Sequence, residues 1–310
     1  MNCLISDHVH PYLIDHLRQA NVKCTYLPNI SQSEVEATID HYEILIVNSK
    51  IKINEDFAKS AQKLKIVGRL GSGMDNINVE ALNANGIEVV RTPEANANAV
   101  SEHVIGMLLS LANHLNRCDR EVRDYTWHRE KNRGWELANK TIGILGHGHT
   151  GSHLSAKLSG WAHEVVSYDK YLVGYANDLP LVNETTLNEV LTKSDIISIH
   201  LPLDDDTRGM IDSAFLKSCK PGVVIVNTSR GGIVNTQDLL EGLQRGYVGG
   251  ACLDVFENEK VMTLTENEKE LYNQLYELPN VVLSPHVGGW TYESYKKIAQ
   301  VMFEKIVNLI

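Results

Sequence analysis

The sequence predicts an α/β protein of two domains, each built around a parallel sheet. Three observations carry this. Short apolar runs alternate with longer amphipathic ones along the chain, the pattern of repeated βαβ units whose strands are covered on both faces. The alternation comes in two series separated by a long helical stretch. A chain of 310 residues, 43% apolar and 22% charged, can bury two cores.

In the first series Cys3–Ser6, Val22–Leu27, Ile44–Asn48, Leu64–Leu70 and Ile87–Arg91 read as strands. Tyr12–Gln19, Ser33–His41 and Val79–Asn85 read as helices between them, and Gly86 stands where a helix end favours glycine. Ala99–Tyr125 reads as one long helix, apolar over Val100–Leu111 and charged over Arg117–Arg123, bridging the domains. The second series runs through Thr141–Leu145, Glu164–Tyr168, Asp195–His200, Val223–Asn227, Gly249–Leu253 and Val281–Leu283, and a helix over Tyr292–Ile310 follows. One domain is therefore expected at 99–287 and the other at 1–98 with 288–310. The crossings near Asn98 and Gly288-Gly289 are expected to act as a hinge.

With 29 basic and 39 acidic side chains the net charge is −10, which disfavours nucleic acid and anionic membrane as partners. Cysteines 3, 24, 118, 219 and 252 are odd in number and form no CxxC pair, as expected for a reducing, cytoplasmic location. The opening MNCLISDHVHPYL lacks a basic segment followed by a long apolar one, and no apolar stretch approaches the roughly 18 residues a membrane span needs.

The strand Thr141–Leu145 runs directly into Gly146-His147-Gly148-His149-Thr150-Gly151, a G-x-G-x-x-G loop, and then into a helix expected over Ser152–Leu158. Gly146 permits the tight turn. Gly148 lets the backbone approach a pyrophosphate, and Gly151 lets the helix pack close to the sheet. The helix N-terminus offers N–H groups and partial positive charge to phosphates. Asp169, 18 residues past Gly151 at the end of the next strand, can hold both adenosine ribose hydroxyls and repel a 2′-phosphate. The expected cofactor is NAD rather than NADP, although Lys170 softens the charge. His149 and His153 have the i, i+4 spacing of a metal pair, but no acidic or cysteine partner lies nearby in sequence, so no metal is expected.

Three strands of the second series run into polar segments that a plain core would not need: Thr228-Ser229-Arg230-Gly231-Gly232, Asp254-Val255-Phe256-Glu257-Asn258-Glu259 and Ser284-Pro285-His286-Val287-Gly288-Gly289. Ligands of such sheets sit beyond the carboxyl ends of the strands. Arg230, Glu259 and His286 suit one reaction. A histidine takes the hydroxyl proton as a secondary alcohol loses hydride, and returns it in the reverse direction. A carboxylate orients the imidazole and favours its charged form. An arginine holds a substrate carboxylate with two parallel donors.

The segments VGRLGSGMDNINVEAL, RTPEANANAVSEH, KTIGILGHGHTG, HLPL, VNTSRGGIVN, LDVFENE and LPNVVLSPHVGG together resemble the D-isomer-specific 2-hydroxyacid dehydrogenase family over nearly the whole chain. The resemblance implies a Rossmann-type NAD-binding domain, a flavodoxin-like substrate domain and a homodimer joined through the nucleotide domain. It puts the family's arginine, glutamate and acid–base histidine on Arg230, Glu259 and His286. Further cofactor contacts fall on His149, Thr150, Asp169, His200, Pro202, Thr228, Asp254 and Gly288, and substrate-carboxylate N–H donors on Ser72 and Gly73. Thr150 and Trp290 depart from the family's usual smaller or aliphatic residues, and 260–277 lacks its usual prolines. Arg69, three residues before Ser72, suits a substrate phosphate, so D-3-phosphoglycerate and its oxo acid 3-phosphohydroxypyruvate are the expected substrates. Asn48, where an arginine is common, argues the other way, and Lys52 compensates in part. D-lactate, glycerate and hydroxypyruvate or glyoxylate are the alternatives. A dinucleotide-sensing binding protein would carry a partner-binding extension, and none is expected in a sequence that reaches only Ile310. The same reasoning predicts no C-terminal regulatory domain.

Overall fold

The computed structural model describes residues 1–176, 179 and 181–310. The chain forms two units, Met1–Ala97 with Trp290–Ile310, and Asn98–Gly289. In the first, the apolar runs become β1 (Asn2–Ile5), β2 (Lys23–Tyr26), β3 (Ile44–Val47), β4 (Ile66–Arg69) and β5 (Glu88–Arg91). Between them lie α1 (Pro11–Gln19), α2 (Gln32–Thr38), α3 (Glu55–Ser60) and α4 (Val79–Ala84). All pairings are parallel, in the order β2-β1-β3-β4-β5, the flavodoxin-like order. Alternate strand residues feed opposite faces. Leu4, Leu45, Val47 and Val67 pack with Val35, Phe57 and Leu82 on one side. Ile5, Ile44, Ile46 and Ile66 pack on the other with Leu13 and Leu17 of α1 and with Ala299, Met302 and Ile306 from the far end of the sequence. Gly68 in β4 leaves room for the Met302 side chain: a Cβ there would lie 2.7 Å from its sulfur, and the thioether would have to shift.

The single helix expected over Ala99–Tyr125 is two. α5 spans Ala97–Ala112, and α6 (Leu115–Arg123) restarts after His114, which adopts left-handed backbone at φ 52°. The returning chain explains the break. Trp135 N donates to the Ala112 carbonyl, and Gly134 passes so close that a Cβ would meet that oxygen at 2.3 Å.

The second unit continues with β6 (Thr141–Leu145), α7 (His149–Leu158), β7 (Glu164–Tyr168), β8 (Val182–Glu184), α8 (Leu187–Lys193), β9 (Ile196–Ile199), α9 (Ser213–Ser218), β10 (Val223–Asn227), α10 (Thr236–Arg245), β11 (Val248–Leu253), α11 (Glu266–Tyr276) and β12 (Val281–Leu283). The helix α12 (Tyr292–Val307) belongs to the first unit. The seven strands are parallel in the order β12-β11-β10-β9-β6-β7-β8, so the order reverses between β6 and β9. That is the Rossmann arrangement, with a ligand crevice at the carboxyl edge of the reversal. The edge strand β8 buries only Val182, which is why no run of apolar residues announces it. One face packs Ile142, Ile144, Val224 and Val226 against Val104, Leu108 and Leu111 of α5 and Leu154 and Leu158 of α7. The other packs Leu145, Ile197, Ile199, Ile225 and Leu253 against α8–α11. No helix among the described residues is long and apolar enough to cross a membrane.

Candidate active site

The glycine loop grows out of β6. Gly146 turns at φ 89°, and a Cβ there would lie 2.5 Å from the His200 carbonyl oxygen. A Cβ at Gly151 would lie 2.0 Å from the Gly146 carbonyl, so this glycine packs the helix onto the loop. At Gly148 a Cβ would meet nothing within 4 Å. This glycine faces open space, as a pyrophosphate cradle requires. The helix begins at His149, three residues earlier than expected, and no side chain caps it. His149 and Thr150 therefore sit in the first turn, where N–H groups point outward.

Asp169 closes this loop from the end of β7. Its Oδ2 accepts from His147 N at 2.7 Å and its Oδ1 from Tyr171 N and Leu172 N at 2.9 and 3.0 Å. Partial burial pushes its pKa up, but those three N–H groups outweigh it and hold the carboxyl below its usual range. Lys170 turns away to Asp206 at 2.7 Å, so its ammonium is already paired. The His147 ring is buried, stacks on Tyr175 and contacts the Ser167 hydroxyl at 2.9 Å. Across the reversal point, His200 contacts the Ser198 hydroxyl through Nε2, and burial together with nearby His147 lowers its pKa to about 4. The carbonyl of Pro202 accepts from Thr207. Thr228 Oγ1, beyond β10, is buried without a hydrogen-bond partner among the described residues. An uncapped helix end, an open glycine, a pre-oriented carboxylate and an orphaned buried hydroxyl all fit a dinucleotide.

The strands β10, β11 and β12 are neighbours, so the segments bearing Arg230, Glu259 and His286 leave one edge of the sheet side by side. Gly231 makes the first two adjoin: a Cβ there would lie 1.9 Å from the Phe256 backbone. Arg230 donates from Nη1 to the Ser229 carbonyl, and the buried Asn227 amide donates to the Arg230 carbonyl at 2.9 Å. Glu259 Oε2 meets His286 Nδ1 at 2.8 Å, with both side chains open to solvent (39% and 46%). His286 takes left-handed backbone at φ 55°, unfavourable for a side chain with a Cβ. The carboxylate of Asp254, by contrast, is buried and engaged with its own chain. Oδ1 accepts from Ser284 Oγ and Val287 N, and Oδ2 from Gly288 N. Burial pushes this acid up, while His103, Ser284, Val287 and Gly288 together hold it below its usual range.

Several supports escape sequence reasoning. Asn227, Tyr272 and Glu268 hold the loops, and the stretch 260–277 contains α11, to which the sequence assigns no role. Tyr272 Oη accepts from Asn258 N at 2.9 Å, and Glu268 accepts from the Asn258 amide, bracing the residue next to Glu259. The only sequence signal is the Thr265/Glu268 capping box. In the first unit, Gly71 (φ 121°) and Thr92 exchange hydrogen bonds, and no described residue accepts from the N–H of Ser72 or Gly73. Arg69 folds its Nη1 onto the Leu70 carbonyl. Trp290 is exposed and leans towards Tyr295.

A reversed parallel sheet with a cradling glycine loop and a terminal acid defines a dinucleotide-binding α/β protein. Residues 105–288 match the family model "D-isomer specific 2-hydroxyacid dehydrogenase, NAD binding domain", and the chain belongs to this family, with NAD as its cofactor. It is 31% identical over its full length to D-3-phosphoglycerate dehydrogenase of Archaeoglobus fulgidus, and 33% identical over 99% of its length to the rat enzyme of the same name. It spans only 57% and 56% of those proteins, about half the length of the curated relatives it matches. Among solved structures, D-lactate dehydrogenase from Aquifex aeolicus complexed with NAD and lactic acid superposes with a TM-score of 0.86. The two are 26% identical, and the match covers 99% of this chain and 94% of that one.

Proposed function

We propose that the protein is an NAD-dependent oxidoreductase of D-2-hydroxy acids, with the unit 98–289 binding NAD and the other unit binding substrate. The observation that carries this reading is the 2.8 Å His286–Glu259 contact at the carboxyl edge of a dinucleotide-binding sheet. When Glu259 is ionised it can only accept, so Nδ1 of His286 carries hydrogen and Nε2 is the atom left for proton transfer. In the oxidation direction, neutral Nε2 takes the C2 hydroxyl proton; in reduction the imidazolium returns it to the carbonyl oxygen. The cofactor, when bound, would supply the redox chemistry, as hydride acceptor in the NAD⁺ form and as donor in the NADH form. Arg230 offers its guanidinium to the substrate carboxylate. Gly146, Gly148, His149, Thr150 and Gly151 receive the pyrophosphate, Asp169 the ribose, and His200, Pro202, Thr228, Asp254 and Gly288 line the remainder of the cofactor site.

Among D-2-hydroxy acids we assign D-3-phosphoglycerate and 3-phosphohydroxypyruvate, the class named by the curated relatives, with Ser72 and Gly73 as carboxylate donors and Arg69 as phosphate ligand. The available N–H groups of Ser72 and Gly73 support the carboxylate part of this assignment, which all these acids share. The test is NADH absorbance with phosphohydroxypyruvate, hydroxypyruvate, glyoxylate and pyruvate. The phosphorylated acid is expected to exceed hydroxypyruvate in kcat/KM by more than about tenfold, the worth of one charged contact. Arg69→Ala should erase most of that gap. Equal rates would transfer the assignment to an unphosphorylated acid. We further propose a cytoplasmic homodimer, to which the five free thiols and the exposed Leu115, Val122, Tyr125 and Trp127 are suited. Sedimentation giving a monomer would overturn the dimer.

A further inference from the structure

The chain from His286 to Gly288 is fastened at three successive amides to one residue. His286 N donates to the Asp254 carbonyl at 2.7 Å, Val287 N to Oδ1 at 2.9 Å and Gly288 N to Oδ2 at 2.8 Å. Asp254 N in turn donates to the Asn227 carbonyl at 3.0 Å, beside the Arg230 loop. This clamp holds His286 in a backbone conformation it would not choose alone. Asp254 is 1% exposed, so the direction of its carboxylate depends on the groups around it.

Two side chains aim it. Ser284 Oγ lies 2.6 Å from Oδ1, and His103 Nε2 lies 2.8 Å from Ser284 Oγ and 3.5 Å from Oδ1. The hydroxyl has one proton, and the buried carboxylate takes it; the other neighbour, Met107 sulfur at 3.7 Å, is a weak acceptor. Ser284 must therefore accept from His103, which fixes hydrogen on Nε2. The imidazole also fills the space beside Gly288: a Cβ there would lie 3.0 Å from Asp254 Oδ2 and 3.3 Å from His103 Cδ2. None of these contacts belongs to the proton-transfer pair.

We propose that His103 is a positioning residue for the reaction, acting through Ser284 and Asp254 to hold the 286–288 backbone so that His286 faces Glu259. This rests on the reading of His286 as the acid–base group. The N–H at Nε2 is the operative feature, because it satisfies Ser284 and leaves the serine proton to Asp254. A side chain with a donor at similar reach preserves the arrangement, and an apolar one of similar bulk does not.

The test compares His103→Leu with His103→Gln in the full-length protein. With His103→Leu, kcat for the 2-oxo acid should fall by about tenfold to a hundredfold, the scale of a small misplacement, while KM moves by less than about threefold. Amide hydrogen exchange at Val287 and Gly288 should quicken by at least about tenfold as the clamp loosens. His103→Gln should restore both readouts to within about threefold of the parent protein. Ser284→Ala cuts the same link with little change of volume; it should show the same loss of kcat and the same faster exchange, and it carries the test if His103→Leu does not fold. Parental kcat and exchange in His103→Leu, or equal damage in His103→Gln, would overturn the proposal. Exchange needs no turnover. A parent protein inactive on every 2-oxo acid would count against the dehydrogenase reading, and the exchange result would still decide the role of His103.

Discussion

The His286–Glu259 contact separates the roles of two side chains that both face solvent. His286→Ala removes the group proposed to move the proton. It should lower kcat by at least about two orders of magnitude while NADH binds as before, measured by steady-state rates and NADH fluorescence titration. Glu259→Gln keeps an acceptor near Nδ1 and removes the charge, so its loss should be smaller. A His286→Ala enzyme with normal kcat would refute the proposed chemistry. At the other end of the site, Asp169 is already oriented by three N–H groups. Asp169→Ala should weaken NADH binding by about tenfold to a hundredfold, the worth of charged hydrogen bonds, and narrow the preference over NADPH. Parent protein binding both cofactors equally would remove the basis for that preference. Asp169 is legible in the sequence because it ends a strand run with a residue type that a core strand has no use for, whereas Glu259 and His286 lie six and three residues beyond β11 and β12, in polar segments where the family resemblance singles them out. Asp254 is legible only as a polar strand end. That its carboxylate accepts from Ser284, Val287 and Gly288 is hidden in the sequence, because these residues lie 30 or more positions away.

Glycines show how differently two similar-looking elements work. At Gly231 a methyl would enter the Phe256 backbone, whereas at Gly148 it would enter open space. Gly231→Ala is therefore expected to lower stability by about 1–3 kcal/mol, read from denaturant melts, since two loops must move apart. Gly148→Ala should leave the melt unchanged and weaken NADH binding. The reverse pattern would mean that the loop does not cradle phosphate. Element boundaries are less legible than motifs. The break between α5 and α6 comes from Gly134 and Trp135 returning to the Ala112 carbonyl, a tertiary event that leaves no mark in the helical periodicity of 99–125. The early start of α7 has the opposite cause. The helix begins inside the glycine motif because its N-cap is Gly148 itself, so a reading that waits for the last glycine starts it too late.

At the scale of the whole molecule, two histidines held neutral by the fold set a pH limit on stability. His200 takes a proton near 6.5 when unfolded and at about 4 in the folded protein. Between those values the unfolded chain binds more protons, so the stabilisation is fully present above about pH 6.5 and is lost as pH falls towards 4. His147, lowered by its own burial, adds to the same trend. The melting temperature should fall over this window, and His200→Gln should flatten the decline. A melting temperature independent of pH across it would show that neither ring is held neutral by the fold.

The first unit is discontinuous in sequence: Ala299, Met302 and Ile306 of α12 complete a core begun by β1 and α1. The unit 98–289 is, in topological terms, an insertion. During synthesis the domain that starts first must wait, with one apolar face of its sheet covered only in part, by α1, until the whole nucleotide-binding unit has been made. The inserted unit can reach its fold from its own residues as soon as β12 leaves the ribosome. The vulnerable interval in the life of this chain is the passage between β5 and α12, when Ile5, Ile44 and Ile46 have no helix α12 to cover them and a chaperone or a neighbouring nascent chain can.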